Sequence, residues 1–240
     1  MLLALHLLAL GVGTIIFWGM IILHRRAREL QRKVSPDTNT CLPGRALAQR
    51  PAVWLAIHSI DSKAVLPALE FSYPVSRSRQ DALATQRELF INPPLDGWII
   101  VTGSRLPRPG DDVDACFHFL VRLSRELGQV QLFMADAVKR HHAWVRAENG
   151  RITRAYAWAN ETIWNQGPRT LAEIELSMKC FDYGEGAEAE GWPKEERAGA
   201  NVAKVPALAA RWGFYPAALE HNGGIPADGI TGKSSRLHQD

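Results

Sequence analysis

Cysteine is scarce in this chain of 240 residues, and its three copies, Cys41, Cys116 and Cys180, stand far apart. There is no C-x-x-C, and no cysteine stands at ligand spacing from a histidine. That argues against a disulfide framework and a structural zinc site, and it fits a reducing compartment. A G-x-S-x-G elbow for a serine nucleophile is also lacking. Gly103-Ser104 follows an apolar run, but Arg105-Leu106-Pro107 stands where the elbow would turn, so a turn serine is expected. The P-loop is incomplete. GITGKSS contains Gly232-Lys233-Ser234, yet Ala227 occupies the position of the first glycine and no strand is predicted before it. No metal and no cofactor is expected, and no internal repeat is visible.

A basic excess is missing too, once the charge is located. The formal charge is +3, but residues 24–33 alone carry Arg25, Arg26, Arg28, Arg32 and Lys33 against Glu29, a charge of +4. Of 28 basic and 25 acidic side chains, that leaves 23 and 24 elsewhere, a net of −1. The rest of the chain lacks the positive field of a nucleic-acid binder, so no nucleic-acid partner is expected.

Long apolar runs are not lacking. Residues 2–23 form 22 consecutive positions without a formal charge, with Phe17 and Trp18 among them. At ~1.5 Å per residue a helix of that length reaches about 33 Å, enough for a hydrocarbon core of ~30 Å. The charge follows the run, as HRRARELQRK, and no A-x-A site comes after it, so the pattern is that of an uncleaved anchor rather than a signal peptide. Basic residues flanking a span favour the cytoplasmic side, which places the following domain inside. Arg25, Arg26, Arg28, Arg32 and Lys33 would then rest against anionic headgroups at about 1 kcal/mol each. The bilayer is thus one expected partner, through residues 2–23.

Four regions follow from composition: an anchor at 1–23, a basic stem and linker at 24–50, a globular domain at 51–225 and a flexible tail at 226–240. The domain opens with VWLAIHSI, an apolar run of strand length. SKAVLPALEF then reads as a short helix capped by Asp61 or Ser62, with Pro67 awkward inside it. LFI and WIIVTG read as strands, bent at Asp96-Gly97. The clearest helix runs from Asp111 or Asp112 as cap to Gly128, with Val113, Phe117, Leu120, Val121, Ser124 and Leu127 as its apolar stripe. VQLFMA is a strand, and Asn149-Gly150 closes a hairpin between HAWVRAE and RITRAYAW. Thr170 and Glu173 form a capping box ahead of LAEIELSM. PALAARWG and PAALEHNGG read as two short helices, and the acidic, glycine-rich stretch between 181 and 199 as a mobile loop.

Candidate chemistry is thin. His141 and His142 are adjacent, so on a strand they point to opposite faces and cannot chelate one ion together. A general acid–base pair would have to be assembled from distant segments, with His58 or His142 set against Asp136 or Glu173. Of eight tryptophans, seven lie beyond the anchor, and packing is the default for Trp54, Trp98, Trp144, Trp158, Trp164 and Trp212. Trp192, beside Pro193 in a loop, is the candidate partner contact. A helix-turn-helix reading of PALAARWGFYPAALE fails because its second helix lacks the side chains that read base edges.

The motif order DGWIIVTGSRLP, LSRELGQVQLFMA, HHAWVRAENGRITRAYAW, GPRTLAEIEL and VAKVPALAARWGFYP resembles a bacterial family of no established activity. The resemblance spans roughly Val53 to Glu220. It implies a bacterial source and one compact domain, and it carries over no functional residues. The expectation is an α+β domain, a mainly antiparallel sheet packed by two or three helices behind one N-terminal transmembrane helix. The expected function is protein binding at the inner membrane, as an adaptor or immunity-like module. The alternative is a hydrolase-type enzyme using the His/carboxylate residues named above.

Overall fold

The computed structural model describes residues 52–78, 89–184, 199, 201–214 and 228–234. The chain divides at Arg50, and every described residue belongs to the second unit. Residues 2–23, the stem and linker, Trp192 and residues 215–227 lie outside the described residues. Among the described residues, no helix is long and apolar enough to cross a membrane.

Nine strands form one sheet. They are β1 (Val53–His58), β2 (Phe71–Arg77), β3 (Leu89–Ile91), β4 (Trp98–Thr102), β5 (Gln129–Asp136), β6 (His141–Glu148), β7 (Arg151–Trp158), β8 (Thr162–Gln166) and β9 (Gly229–Ser234). Their order across the sheet is β2-β9-β3-β4-β1-β5-β6-β7-β8, and every pairing is antiparallel. The α+β class with an antiparallel sheet is therefore as expected. Four α-helices accompany it among the described residues, one more than the upper expectation: α1 (Ser62–Ala68), α2 (Val113–Leu127), α3 (Leu171–Glu175) and α4 (Val205–Arg211). A 3-10 turn at Val202–Lys204 leads into α4.

Helices cover both faces. β1 and β4 are buried along almost their whole length, which is why VWLAI and WIIVT are unbroken apolar runs rather than alternations. α1 and α2 pack on one face, where Leu55, Ile57, Val101, Leu132 and Val145 meet Val65, Cys116, Leu120 and Leu123. α4 packs on the other, with Val205, Leu208 and Trp212 against Trp54, Phe133 and Trp144. Under α2 the sheet residues are small: Ala143, Ala147, Ala155 and Ala157. Their large neighbours by alternation all turn to the opposite face.

Local signals set the local geometry. The Asp112 carboxylate caps α2 by accepting from the Ala115 N–H at 2.9 Å, and Gly128 ends it at φ +84°. The buried stripe is Cys116, Phe119, Leu120, Leu123 and Ser124, rotated from the expected one so that Val113, Phe117 and Leu127 sit half-buried at its margin. Asn149 and Gly150 both take positive φ, +49° and +78°, as a type I′ turn requires. Asp96 and Gly97 do the same at +50° and +82°, closed by paired hydrogen bonds between Leu95 and Trp98. Pro67 lies in the last turn of α1, which ends one residue later.

Two strands depart from the sequence reading. β2 was not anticipated: it carries Pro74, has Tyr73 at φ +55°, and shifts register between Ser72 and Val75. Those are properties of an edge strand, and β2 is one. β9 falls in the stretch expected to be a flexible tail, yet it is inserted between β2 and β3. Its glycines explain the miss, because they lower strand propensity and leave no alternating pattern. They are needed there: a Cβ on Gly229 would meet the Phe90 ring and the Ile91 carbonyl, and one on Gly232 the Phe71 ring and the Ser72 carbonyl. GITGKS is thus a strand capped by aromatic rings, not a phosphate loop.

Candidate functional site: the aromatic face of the sheet

The antiparallel register lines up side chains in rows across the face beneath α4. One row runs Trp54, Phe133, Trp144, Tyr156 across β1, β5, β6 and β7. Beside it lie Ala135, His142 and Trp158, and on its other flank Gln131, Arg146 and Arg154. The rings stack in series. Trp54 lies 5.5 Å from Phe133 and Trp144 lies 4.9 Å from Tyr156, centroid to centroid, while the His142 ring is nearly parallel to those of Trp144 and Trp158. All six tryptophans expected to pack are buried, five on this face and Trp164 on the other.

Into this apolar surface the fold sets a fully buried ion pair. Arg154 on β7 meets Glu173 on α3, with Nη2 2.8 Å from Oε1 and Nε donating to both carboxylate oxygens at 2.9 and 3.1 Å. The Trp144 indole N–H donates to Oε1 at 2.9 Å, and the Thr170 amide and hydroxyl donate to Oε2 at 2.7 and 2.8 Å. The expected capping box is present in full. Arg154 Nη1 also reaches the carbonyls of Ala155, Gln166 and Gly167 and the Asn165 side chain. Burial alone would raise the Glu173 pKa, but the Arg154 guanidinium and the Thr170 donors outweigh it and hold the carboxyl below its ordinary value. Cys180 lies against the same pair, and burial pushes its thiol up to about 11.

His142 is held differently. Asn201 accepts from the Lys179 amide at 2.8 Å through Oδ1 and donates to the Lys179 carbonyl at 2.6 Å through Nδ2. Those two bonds fix which way the amide points. The same Nδ2 faces His142 Nε2 at 3.0 Å, so Nε2 is the acceptor and the ring is neutral, with its proton on Nδ1. Burial drives the His142 pKa down to about 3, offset only in part by the Arg140 backbone. Among the described residues, three further buried polar atoms on this face lack a hydrogen-bond partner: Trp54 Nε1, Gln131 Oε1 and Trp158 Nε1.

The candidate acid–base residues are not brought into one constellation. His58 is exposed at the far end of β1, edge-on to Trp98 at 4.9 Å, whereas His142 pairs with Ala135 at the opposite end of β5. Asp136 closes the β5–β6 turn, its Oδ1 accepting from the amides of Val138 and Lys139 at 3.0 and 2.9 Å. Strand alternation turns it to the face opposite His142. His142 and Glu173 share the aromatic face with Trp144 between them, since Trp144 stacks on the imidazole and donates to the carboxylate. Among the described residues no three His, Cys, Asp or Glu side chains gather as metal ligands would. Arg154 and Asn201 were missed in the sequence. For Arg154 a signal existed: alternation in RITRAYAW puts it on the face of Tyr156 and Trp158, where a buried charge demands a carboxylate.

Comparison with family models, with curated proteins and with solved structures yields no match for this chain.

Proposed function

We propose that this chain is a non-catalytic protein-binding module, held at the inner face of a bacterial membrane by residues 2–23 with its C-terminal domain in the cytoplasm. The observation that carries the reading is the bonding of Glu173. Both of its oxygens are committed to Arg154, Trp144 and Thr170, which leaves this buried carboxylate as a structural anion rather than a proton carrier. His142 supports the same reading, because its basic nitrogen is already occupied by Asn201. The tether rests on the apolar run and the basic stem, and the reducing compartment on the widely spaced cysteines.

A binding module presents apolar side chains that its own fold does not use. The outer strand β2 does so with Tyr73, 84% exposed, and Val75, 49% exposed. Together with Trp192 these are the contacts proposed for a protein partner. The test is affinity purification of the full-length chain from its host in mild detergent, alongside Trp192→Ala and Tyr73→Ala variants. A stoichiometric protein partner, lost in either variant while thermal unfolding is unchanged, is the expected result. A clean preparation without a partner, or a partner indifferent to both substitutions, overturns the reading.

A further inference from the structure

We propose that the outward side of α3 is a docking surface for an anionic bilayer, one that lays the domain against the membrane to which it is tethered. The inference rests on the tethered reading above and adds the surface that touches lipid. α3 is built in an unusual sense. It turns its one buried residue, Glu173, inward to Arg154, and presents Leu171 and Ile174 to solvent at 70% and 55% exposure. Spaced three apart, these two side chains share one side of the helix. The short helix cannot swing away, because the Thr170–Glu173 box and the Arg154 bonds fix it to the sheet.

Cations stand near both ends of α3. The Arg169 guanidinium donates to the Met178 carbonyl at 2.6 Å, and the Lys204 ammonium to the Ser177 carbonyl at 2.8 Å. Both are thus positioned by neutral acceptors, and neither bond cancels their charge. Arg211 pairs with Glu175 beside them. Partial burial, and then the charge of Lys179, lowers the Lys204 pKa, which places a second ammonium within electrostatic reach. Apolar side chains flanked by the uncancelled charges of Arg169 and Lys204 match an interface in which acyl chains lie beneath anionic headgroups. Reach favours it as well. The 17 residues at 34–50 span at most about 60 Å when fully extended, so docking is an intramolecular event at high effective concentration.

The experiment uses the full-length chain reconstituted into phosphatidylcholine vesicles, with and without phosphatidylglycerol. Ile174 is replaced by an environment-sensitive fluorescent amino acid, and vesicle flotation is read in parallel. The expected result is a blue-shifted emission, quenched by brominated acyl chains, only where phosphatidylglycerol is present. Each cation removed should weaken docking about fivefold at low salt, so Arg169→Gln with Lys204→Gln returns the reporter to water, as does high salt. A chain that floats while residue 174 stays in water overturns the docking surface and leaves the tether standing. A reporter shielded equally by neutral vesicles, or only by a copurifying protein, overturns it too. A chain that does not float overturns the tether, and the docking surface falls with it.

Discussion

The two faces of the sheet solve the burial problem in opposite ways. Beneath α2 the core is mainly aliphatic, a row of alanines flanked by Leu, Ile and Val, and among the described residues it holds no buried ion pair. Beneath α4 the core is aromatic and carries Arg154, Glu173, His142, Gln131 and Asn201 within it. The 15-residue α2, with α1 beside it, covers the first, while the second is covered by helices of five and seven residues and a 3-10 turn. A long amphipathic helix brings its own backbone bonds and needs only apolar contact. Short pieces leave backbone and side-chain polar groups over the sheet, and the sheet supplies polar partners to meet them. The lesson is that the polar groups on the aromatic face hold its roof in place.

The largest expected effect tests that directly. Glu173→Ala strands the Arg154 charge in the core and should cost about 4 kcal/mol in denaturant unfolding, whereas Arg154→Met combined with Glu173→Leu should recover most of it. A loss below ~1 kcal/mol for the single substitution would mean the pair holds nothing. On the aliphatic face, Leu120→Ala should cost about 3 kcal/mol through transfer and cavity terms, with the same value at pH 5 and pH 7.

Acid should separate the faces further. The unfolded chain protonates His142 near its ordinary 6.5, the native state only near 3. Its contribution is therefore complete above about pH 6.5 and is lost as pH falls toward 3, roughly 2 kcal/mol of it by pH 5. Glu173, whose native pKa is depressed, adds a second loss below its ordinary 4.5. His142→Gln should flatten the stability profile between pH 6.5 and 5, and an unchanged slope would show that the imidazole is not held neutral by burial. Smallest of all, Ile174→Ala should move stability by less than about 0.5 kcal/mol, because its side chain is exposed. A larger loss would show that α3 packs outward against something.

What could be read in the sequence follows the range of the interaction. α2 and the β6–β7 hairpin were legible because Asp112, Gly128 and Asn149-Gly150 act within a turn of themselves. β2 and β9 were not, since Pro74 and two glycines erase the alternation and their pairing joins distant segments. The aromatic face was half legible. Its tryptophans, His142 and Glu173 stood out as residue types, but nothing local couples His142 to Asn201, 59 residues on, or Arg154 to Glu173, 19 residues on. Burial of Asp136 or Glu173 was likewise unreadable, and it decides that one closes a turn while the other anchors a roof.

The placement of β9 has a consequence for how the protein is made. Among the described strands β2 pairs with β9 alone, and Val75 waits for Thr231, 156 residues further along, before that contact can form. While the intervening chain is synthesised, the β3 edge, with Leu89, Phe90 and Ile91, has nothing beside it and can pair with other nascent strands. The seven strands β1 and β3–β8 can assemble as they emerge, but β2 depends on six residues translated much later. A chain cut short before residue 229 would keep seven of the nine strands paired but would have an open, apolar seam along β3, a natural client for chaperones.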